Sequence, residues 1–447
     1  MQAAEPASYN NIRSTPYYLF PAFIKNTSVF IAEKMDAYGD FFEVKVPGHE
    51  ILAVANADVL QHILLRNEIN YVKSRYYWQQ LKAIIGNALG TLEGDEWLLM
   101  RKLHAKALGN AKTTTYLFNI NADIHNYLHQ WKAYENSTVD IIALFAEMNV
   151  AILLQALFGY ENKAICATIA SLVGAGQKHI LWRSKYPWRP FLSHFSGKDR
   201  RYDSSLIFFE NLAIDIFENR TNSTGDIEKL VDILIEKSNH AGSASFIKEL
   251  RSELIVYLGA GTETAAVGLG WIIYLLAKNR DKLDCLRADI LNVTGGNPVR
   301  ADHLNDLVYA DYVVKEGLRL YSPSHTIARD ALEDDYINGV TIHKGASVFI
   351  SSYALHRNPA YWRAPLDFIP ERFEAAPLKY SYIPFGAGRH TCIGRYIATP
   401  MLVLTLASFV QQFDFELEDD EVPLPESGST LKPHKPILIT LKNFELI

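Results

Sequence analysis

The chain has 447 residues, 49% hydrophobic and 21% charged, which is enough apolar material for a large core beneath an ordinary polar surface. A net charge of −6 without any block of basic residues excludes the electrostatic footprint of a nucleic-acid binder. Cys166, Cys285 and Cys392 show no C-x-x-C spacing, which excludes a zinc ribbon or disulfide frame and points to a reducing compartment.

Met1 to Thr15 is polar and lacks the apolar core of a signal peptide, so residues 1–15 predict a poorly ordered tail before one domain over residues 16–447. Asn26 to Tyr38 predicts a helix, and Phe41 to Val46 and Ile51 to Val54 predict strands joined by Pro47-Gly48. From Asp58 the chain reads as mainly helical, with 3.6-residue periodicity at Leu117–Trp131, Ile141–Phe158, Ser205–Glu218, Asp226–Lys237 and Ser245–Ala277. Strands are expected again only at Thr326–Ala331 and around Tyr336–Ile342, where Asn338-Gly339 signals a type I′ hairpin. The fold class is therefore mainly α with a minor β region, in a single domain.

Ile141 to Tyr160 has the length of a membrane span but contains Glu147, Asn149 and Gln155, so it reads as a buried core helix. No membrane anchor and a cytoplasmic location are expected.

Four patterns carry chemistry. Trp97 and Arg101 are i, i+4, which sets two donor-only side chains on one helix face, suited to a carboxylate. Gly259-Ala260-Gly261-Thr262-Glu263-Thr264 interrupts a long apolar helix; its small residues admit a ligand, and Thr264 can bond a carbonyl one turn back and bend the helix. A carboxylate and a hydroxyl beside that groove are suited to relaying protons. Glu316 and Arg319 lie on a helix apolar nearly all round, so a buried pair there needs a further partner, for which Arg372 is the candidate.

The fourth pattern is Phe385-Gly386-Ala387-Gly388-Arg389-His390-Thr391-Cys392-Ile393-Gly394 followed by a helix-like run, Arg395 to Phe413. Its glycines allow amide groups to approach the sulphur, the helix dipole faces it, and Phe385 shields it, which suits a metal thiolate. A dinucleotide loop is excluded because the third glycine is misplaced.

Together these segments resemble the cytochrome P450 superfamily of haem-thiolate monooxygenases, in its soluble bacterial form, over nearly the whole chain. The family loop F-G-x-G-x-R-x-C-x-G is matched except for His390 at the arginine, and [AG]-G-x-[DE]-T-[TS] is matched by Ala260, Gly261, Glu263 and Thr264, with Ala265 replacing the last hydroxyl. The resemblance implies a helical domain with small antiparallel sheets and haem b ligated by Cys392. It implies Trp97, Arg101, Arg329 and His390 at the propionates, Phe385, Gly386, Ala260 and Gly261 against the haem faces, Thr264 bonding dioxygen and Glu263 feeding the proton relay. Glu316, Arg319 and Arg372 become a structural network. A hydrophobic substrate, fatty-acid-like or terpenoid, is expected against Leu81, Ile84, Ile85, Val256, Ala260, Thr326 and Ile327, with Trp182, Tyr186 and Trp188 in the lid and Arg183, Lys185 and Arg189 at the entrance. Electrons are expected from a separate ferredoxin or flavodoxin with its NAD(P)H reductase, docking at Lys102, Lys106, Arg389 and Arg395 of a monomer. A haem-thiolate isomerase or dehydratase and a haem-binding sensor are the alternatives, disfavoured by Glu263-Thr264.

Overall fold

The computed structural model describes residues 12–185, 198–221, 228–238 and 240–444. About 59% of the chain is helical. The centre is the 35-residue helix Ala244–Lys278, started by Ser243, whose hydroxyl accepts from the Phe246 N–H at 3.2 Å. Glycines decide what packs on it. A Cβ at Gly261 would lie 2.7 Å from Leu153, and one at Gly270 would lie 2.3 Å from Ile142, so the helix Ile141–Leu153 crosses at a distance that only glycine allows.

Among the described residues, three helical stretches are long and apolar enough to cross a membrane: Ile141–Phe158, Lys163–Arg183 and Ala244–Lys278. The apolar 18-residue window of the last is 78% buried within the molecule, and the first contributes Phe145, Met148 and Ile152 to the main core. Ile141–Phe158 also changes character midway, ending in a π-helical turn, Leu154–Phe158, that Gly159 stops in the left-handed conformation.

The strands are β1 (Ser14–Thr15), β2 (Phe41–Val44), β3 (Ile51–Val54), β4 (Tyr71–Lys73), β5 (Thr138–Asp140), β6 (Thr326–Ala331), β7 (Asp335–Ile337), β8 (Val340–Ile342), β9 (Ser347–Ser351), β10 (Phe413–Leu417), β11 (Pro425–Ser427), β12 (Leu431–Pro433) and β13 (Leu438–Asn443). The largest sheet has the order β1-β2-β3-β9-β6-β4 and is mixed, with β1 parallel to β2 and β3 parallel to β9. The β7–β8 hairpin turns at Asn338 and Gly339, with φ of 49° and 92°, as a type I′ turn demands.

The strand content exceeds the sequence expectation: β4, β5 and β9 to β13 fall where helix or loop was read. Ser14 and Thr15 pair with Glu43 and Val44, so ordered structure begins before residue 16. Strands of three residues carry too little periodicity to show in the sequence; β4 exists because β6 is there to pair with it.

Candidate active site

The cysteine loop owes its shape to two glycines. Gly386 and Gly388 sit at φ 73° and 72°, and a Cβ at Gly388 would lie 2.0 Å from the Leu64 carbonyl oxygen. The loop closes on itself as the Cys392 N–H donates to the Phe385 carbonyl at 2.9 Å and the Thr391 hydroxyl to the Gly388 carbonyl at 2.6 Å. The helix Arg395–Gln412 starts three residues on.

Cys392 is exposed to the cavity that it lines, while neighbouring protein crowds and desolvates its sulphur. Burial pushes its thiol pKa up; the Gly394 N–H, the guanidinium groups of Arg101 and Arg395 and the Arg395 N–H pull it down toward thiolate. The cavity holds about 960 Å³.

Opposite the sulphur runs the long helix, which presents Val256, Ala260, Gly261 and Thr264 to the cavity. The Thr264 hydroxyl donates to the Ala260 carbonyl at 2.5 Å, the one-turn bond expected of it. Glu263 is buried outside the cavity lining, where its Oε1 accepts from the Thr430 hydroxyl at 2.6 Å and from Lys432 Nζ at 2.7 Å.

One rim is cationic. Trp97, Arg101, Arg329 and His390 all line the cavity, and Lys73, which sequence reasoning missed, joins them. Lys73 faces Arg329 across the β4–β6 pair, so the sheet register sets two cations side by side. Burial lowers the Lys73 ammonium to about 8 and the Arg329 guanidinium to about 10. Arg329 donates to the carbonyl of Ala328 at 2.9 Å, and Arg101 to that of Thr391 at 2.6 Å. His390 packs on Trp97 with ring centroids 4.1 Å apart. Burial first, then Arg329, Lys73, Arg389 and Arg101, lowers it to about 3, so it stands as neutral imidazole. Buried cations whose partners here are mainly backbone carbonyls call for anions. An open thiol, an apolar wall and a cationic rim fit an iron porphyrin with carboxylate side chains.

Leu81, Ile85, Val256, Ala260, Thr326 and Ile327 line the same cavity. Ile84 does not: it lies in a small buried cluster with Leu81, Ile85 and Ile180. The helix Arg75–Ile85 aims positions 81 and 85, one turn apart, at the cavity, and turns 84 by about 100° from 85. Phe20, Phe23, Thr27 and His49 from the N-terminal region also line the cavity, where the sequence reading set no wall. Trp182 and Arg183 are half-buried and outside the lining. Tyr186, Trp188 and Arg189 lie outside the described residues, as does the Lys185 side chain.

The loop is tethered from below. Arg319 grips Glu316 with two bonds of 2.7 and 2.8 Å, and Arg372 and the Ile369 N–H each reach Glu316 at 2.9 Å. The remaining Arg319 donors meet the carbonyls of His356, Pro365 and Asp367, so this fully buried pair is satisfied. His356, unmarked by any sequence motif, accepts from the Ile383 N–H at 2.9 Å, and the Ile383 carbonyl accepts from Gly386 at 3.0 Å. The ion-pair network is thereby joined to the cysteine loop.

A cysteine loop and a helix with a small, polar stretch around one cavity, in a mainly helical fold, suit a haem-thiolate enzyme. The sequence model of the cytochrome P450 family matches residues 20–441, and the chain belongs to that family. It is a cytochrome P450 monooxygenase with a cysteine-ligated haem iron. Cytochrome P450 6l1 of Blattella germanica is 27% identical, covering 99% of this chain and 88% of the relative. Putative cytochrome P450 132 of Mycobacterium tuberculosis is 25% identical over 88% of each chain. Taurochenodeoxycholic 6 alpha-hydroxylase of Sus scrofa is 23% identical, covering 88% of this chain and 82% of its own.

Proposed function

We propose that Cys392 would supply the thiolate that holds haem b and that the enzyme inserts one oxygen atom from dioxygen into an apolar small molecule of fatty-acid or terpenoid type. The carrying observation is the cavity itself: the Cys392 thiol, the Thr264 hydroxyl and an apolar wall share it. Arg101, Arg329, Lys73 and Trp97 hold the propionates, with His390 as a neutral donor. Phe385, Gly386, Ala260 and Gly261, which line the same cavity, would flank the haem.

When bound, the haem supplies dioxygen activation, and the balance takes substrate, dioxygen, two electrons and two protons to oxygenated product and water. The Cys392 loop holds the thiolate with amide hydrogen bonds. Thr264 orients dioxygen and passes it protons that Glu263 provides. Leu81, Ile85, Val256, Thr326 and Ile327 exclude water and orient an apolar substrate. Electrons come from a separate ferredoxin or flavodoxin with its NAD(P)H reductase, which meets the enzyme as a monomer.

The test is optical. Reduced protein treated with carbon monoxide is expected to give the red-shifted thiolate band, and Cys392→Ala is expected to abolish it; a band surviving the substitution overturns the assignment. Incorporation of labelled dioxygen then separates oxygen insertion from electron-independent rearrangement.

A further inference from the structure

The helix Cys166–Lys185 presents an apolar stripe to the cavity, lined by Leu172, Val173, Gly176, Ile180 and Leu181, and a single amide, Gln177, stands in that stripe. The amide is fixed at both ends. Its Nε2 donates to the Gly259 carbonyl at 2.8 Å, and its Oε1 accepts at 2.8 Å from the hydroxyl of Ser429 in the turn between β11 and β12. A carbonyl can only accept, so the orientation of the amide follows, and the Ser429 proton is spent on it. One Nε2 hydrogen and the Ser429 lone pairs are left over, and among the described residues neither side chain makes another hydrogen bond.

The space beside this pair is open. A Cβ built on Gly176, the residue before the amide, or on Gly259, whose carbonyl the amide holds, would meet nothing within 4 Å. A link that served packing alone would be closed in by side chains. Charge decides what can fill the space. Among the described residues, the lysines and arginines that line the cavity are Lys73, Arg101 and Arg329, the set assigned to the propionates. Lys432, three residues beyond Ser429, lies outside the lining and is bonded to Glu263 at 2.7 Å. A carboxylate at Gln177 would therefore lose its water without gaining a counter-ion, and would face the Ser429 lone pairs. A hydroxyl meets both halves of the pair, accepting from Gln177 Nε2 and donating to Ser429 Oγ.

We propose that Gln177 and Ser429 anchor an alcohol, so that the substrate is a neutral molecule with an apolar body and a hydroxyl group, and not a free fatty acid. This rests on the reading of the cavity as the substrate site of a monooxygenase. The anchor also sets a distance. Gly259 precedes Thr264 on the long helix by five residues, about 7.5 Å along its axis. The carbon offered for oxygen insertion is therefore remote from the hydroxyl that is held. The alcohol keeps its own oxygen and gains a second one elsewhere, so the product is a diol.

The experiment uses the holoenzyme and two matched sets of probes: dodecan-1-ol, dodecane and dodecanoate, and citronellol with its parent hydrocarbon and its acid. Binding is read by calorimetry and by the Soret shift. In each set the alcohol is expected to bind about tenfold more tightly than the hydrocarbon or the acid, the worth of two neutral hydrogen bonds after desolvation. Gln177→Leu, which keeps the bulk and removes both polar atoms, is expected to bring alcohol and hydrocarbon to the same affinity. Ser429→Ala is expected to remove part of the preference, and serves if Gln177→Leu does not take up haem. Gln177→Lys, which adds the missing cation, is expected to turn the preference toward the acids. With a surrogate redox chain, the wild type is expected to give diols oxidised at few positions, and Gln177→Leu to scatter those positions. Acids or hydrocarbons that bind the wild type as tightly as the alcohols, no binding of either alcohol, or an alcohol affinity that ignores both Gln177→Leu and Ser429→Ala refutes the anchor. The carbon monoxide band of the same samples keeps the two readings apart: with the band present the monooxygenase reading stands without the anchor, and with it absent from the wild type both fall.

Discussion

Between the helices Gly94–Leu108 and Ala244–Lys278, two buried titratable side chains face each other and respond to pH with opposite sign. His104 Nδ1 meets the Tyr257 hydroxyl at 2.5 Å, and its Nε2 lies 3.8 Å from Glu253 Oε1, which also accepts from the Leu89 N–H at 3.0 Å. Burial pushes Glu253 up from 4.5 to about 8 and His104 down from 6.5 to about 4, and takes His356 to about 3. Folded Glu253 keeps a proton that the unfolded chain releases, so its contribution is full below pH 4.5 and lost as pH rises toward 8. The histidines take up protons only on unfolding below 6.5, so their contribution is full above that pH and lost as pH falls. Above 6.5 the carboxyl acts without them. The melting temperature of the holoprotein is therefore expected to fall between pH 6.5 and 8, and Glu253→Gln, which keeps the acceptor for Leu89, is expected to flatten that fall. An unchanged slope would refute the protonated carboxyl.

Within the cysteine loop, two glycines with nearly the same φ make different predictions. At Gly386 the nearest atom to a built Cβ is Ile327 Cδ1 at 3.7 Å, whereas at Gly388 it is a backbone oxygen at 2.0 Å. Gly386→Ala is expected to cost about 1–2 kcal/mol of left-handed strain. Gly388→Ala must move the Leu64 segment as well, and is expected to cut the fraction of protein that takes up haem several-fold, read from the carbon monoxide spectrum per mole of protein; equal losses would mean that the close approach does not matter. This loop was legible in the sequence because its φ requirements are written as glycines, and Glu316–Arg319 because a buried ion pair is conspicuous on an apolar helix. Lys73, His356 and Lys432 were not. Each reaches its partners from distant chain, Lys73 through a three-residue strand and Lys432 through a hairpin, and no local spacing records such meetings. Ile84 was misread for a related reason: apolar character at 81, 84 and 85 does not say which face of the helix turns to the cavity.

At the scale of the molecule, the cavity lies between the helical core around Ala244–Lys278 and the mixed sheet, with the N-terminal Phe20 and Phe23 in its lining. The cysteine loop lines the same cavity, and on the proposed reading an electron donor would approach from its side. The net charge of −6 repels an acidic ferredoxin at long range, so docking depends on a local basic patch strong enough to reverse that field. The helix Gly94–Leu108 turns Trp97 and Arg101 to the cavity while leaving Lys102 and Lys106 exposed, one turn apart on another face. Arg389 is exposed too, but its guanidinium lies 5.1 Å from the Trp97 ring centroid, so changing it disturbs the haem site as well as the surface. Lys102→Glu with Lys106→Glu is the cleaner probe. Reduction by an acidic ferredoxin is expected to slow about tenfold at low salt, with the gap to wild type closing as the screening length falls below about 10 Å near 0.1 M salt. The ligand-induced Soret shift should not change, because neither lysine lines the cavity. Reduction rates that ignore both substitutions at low salt would move the docking face elsewhere, and a loss that persists at high salt would make the effect one of folding rather than encounter.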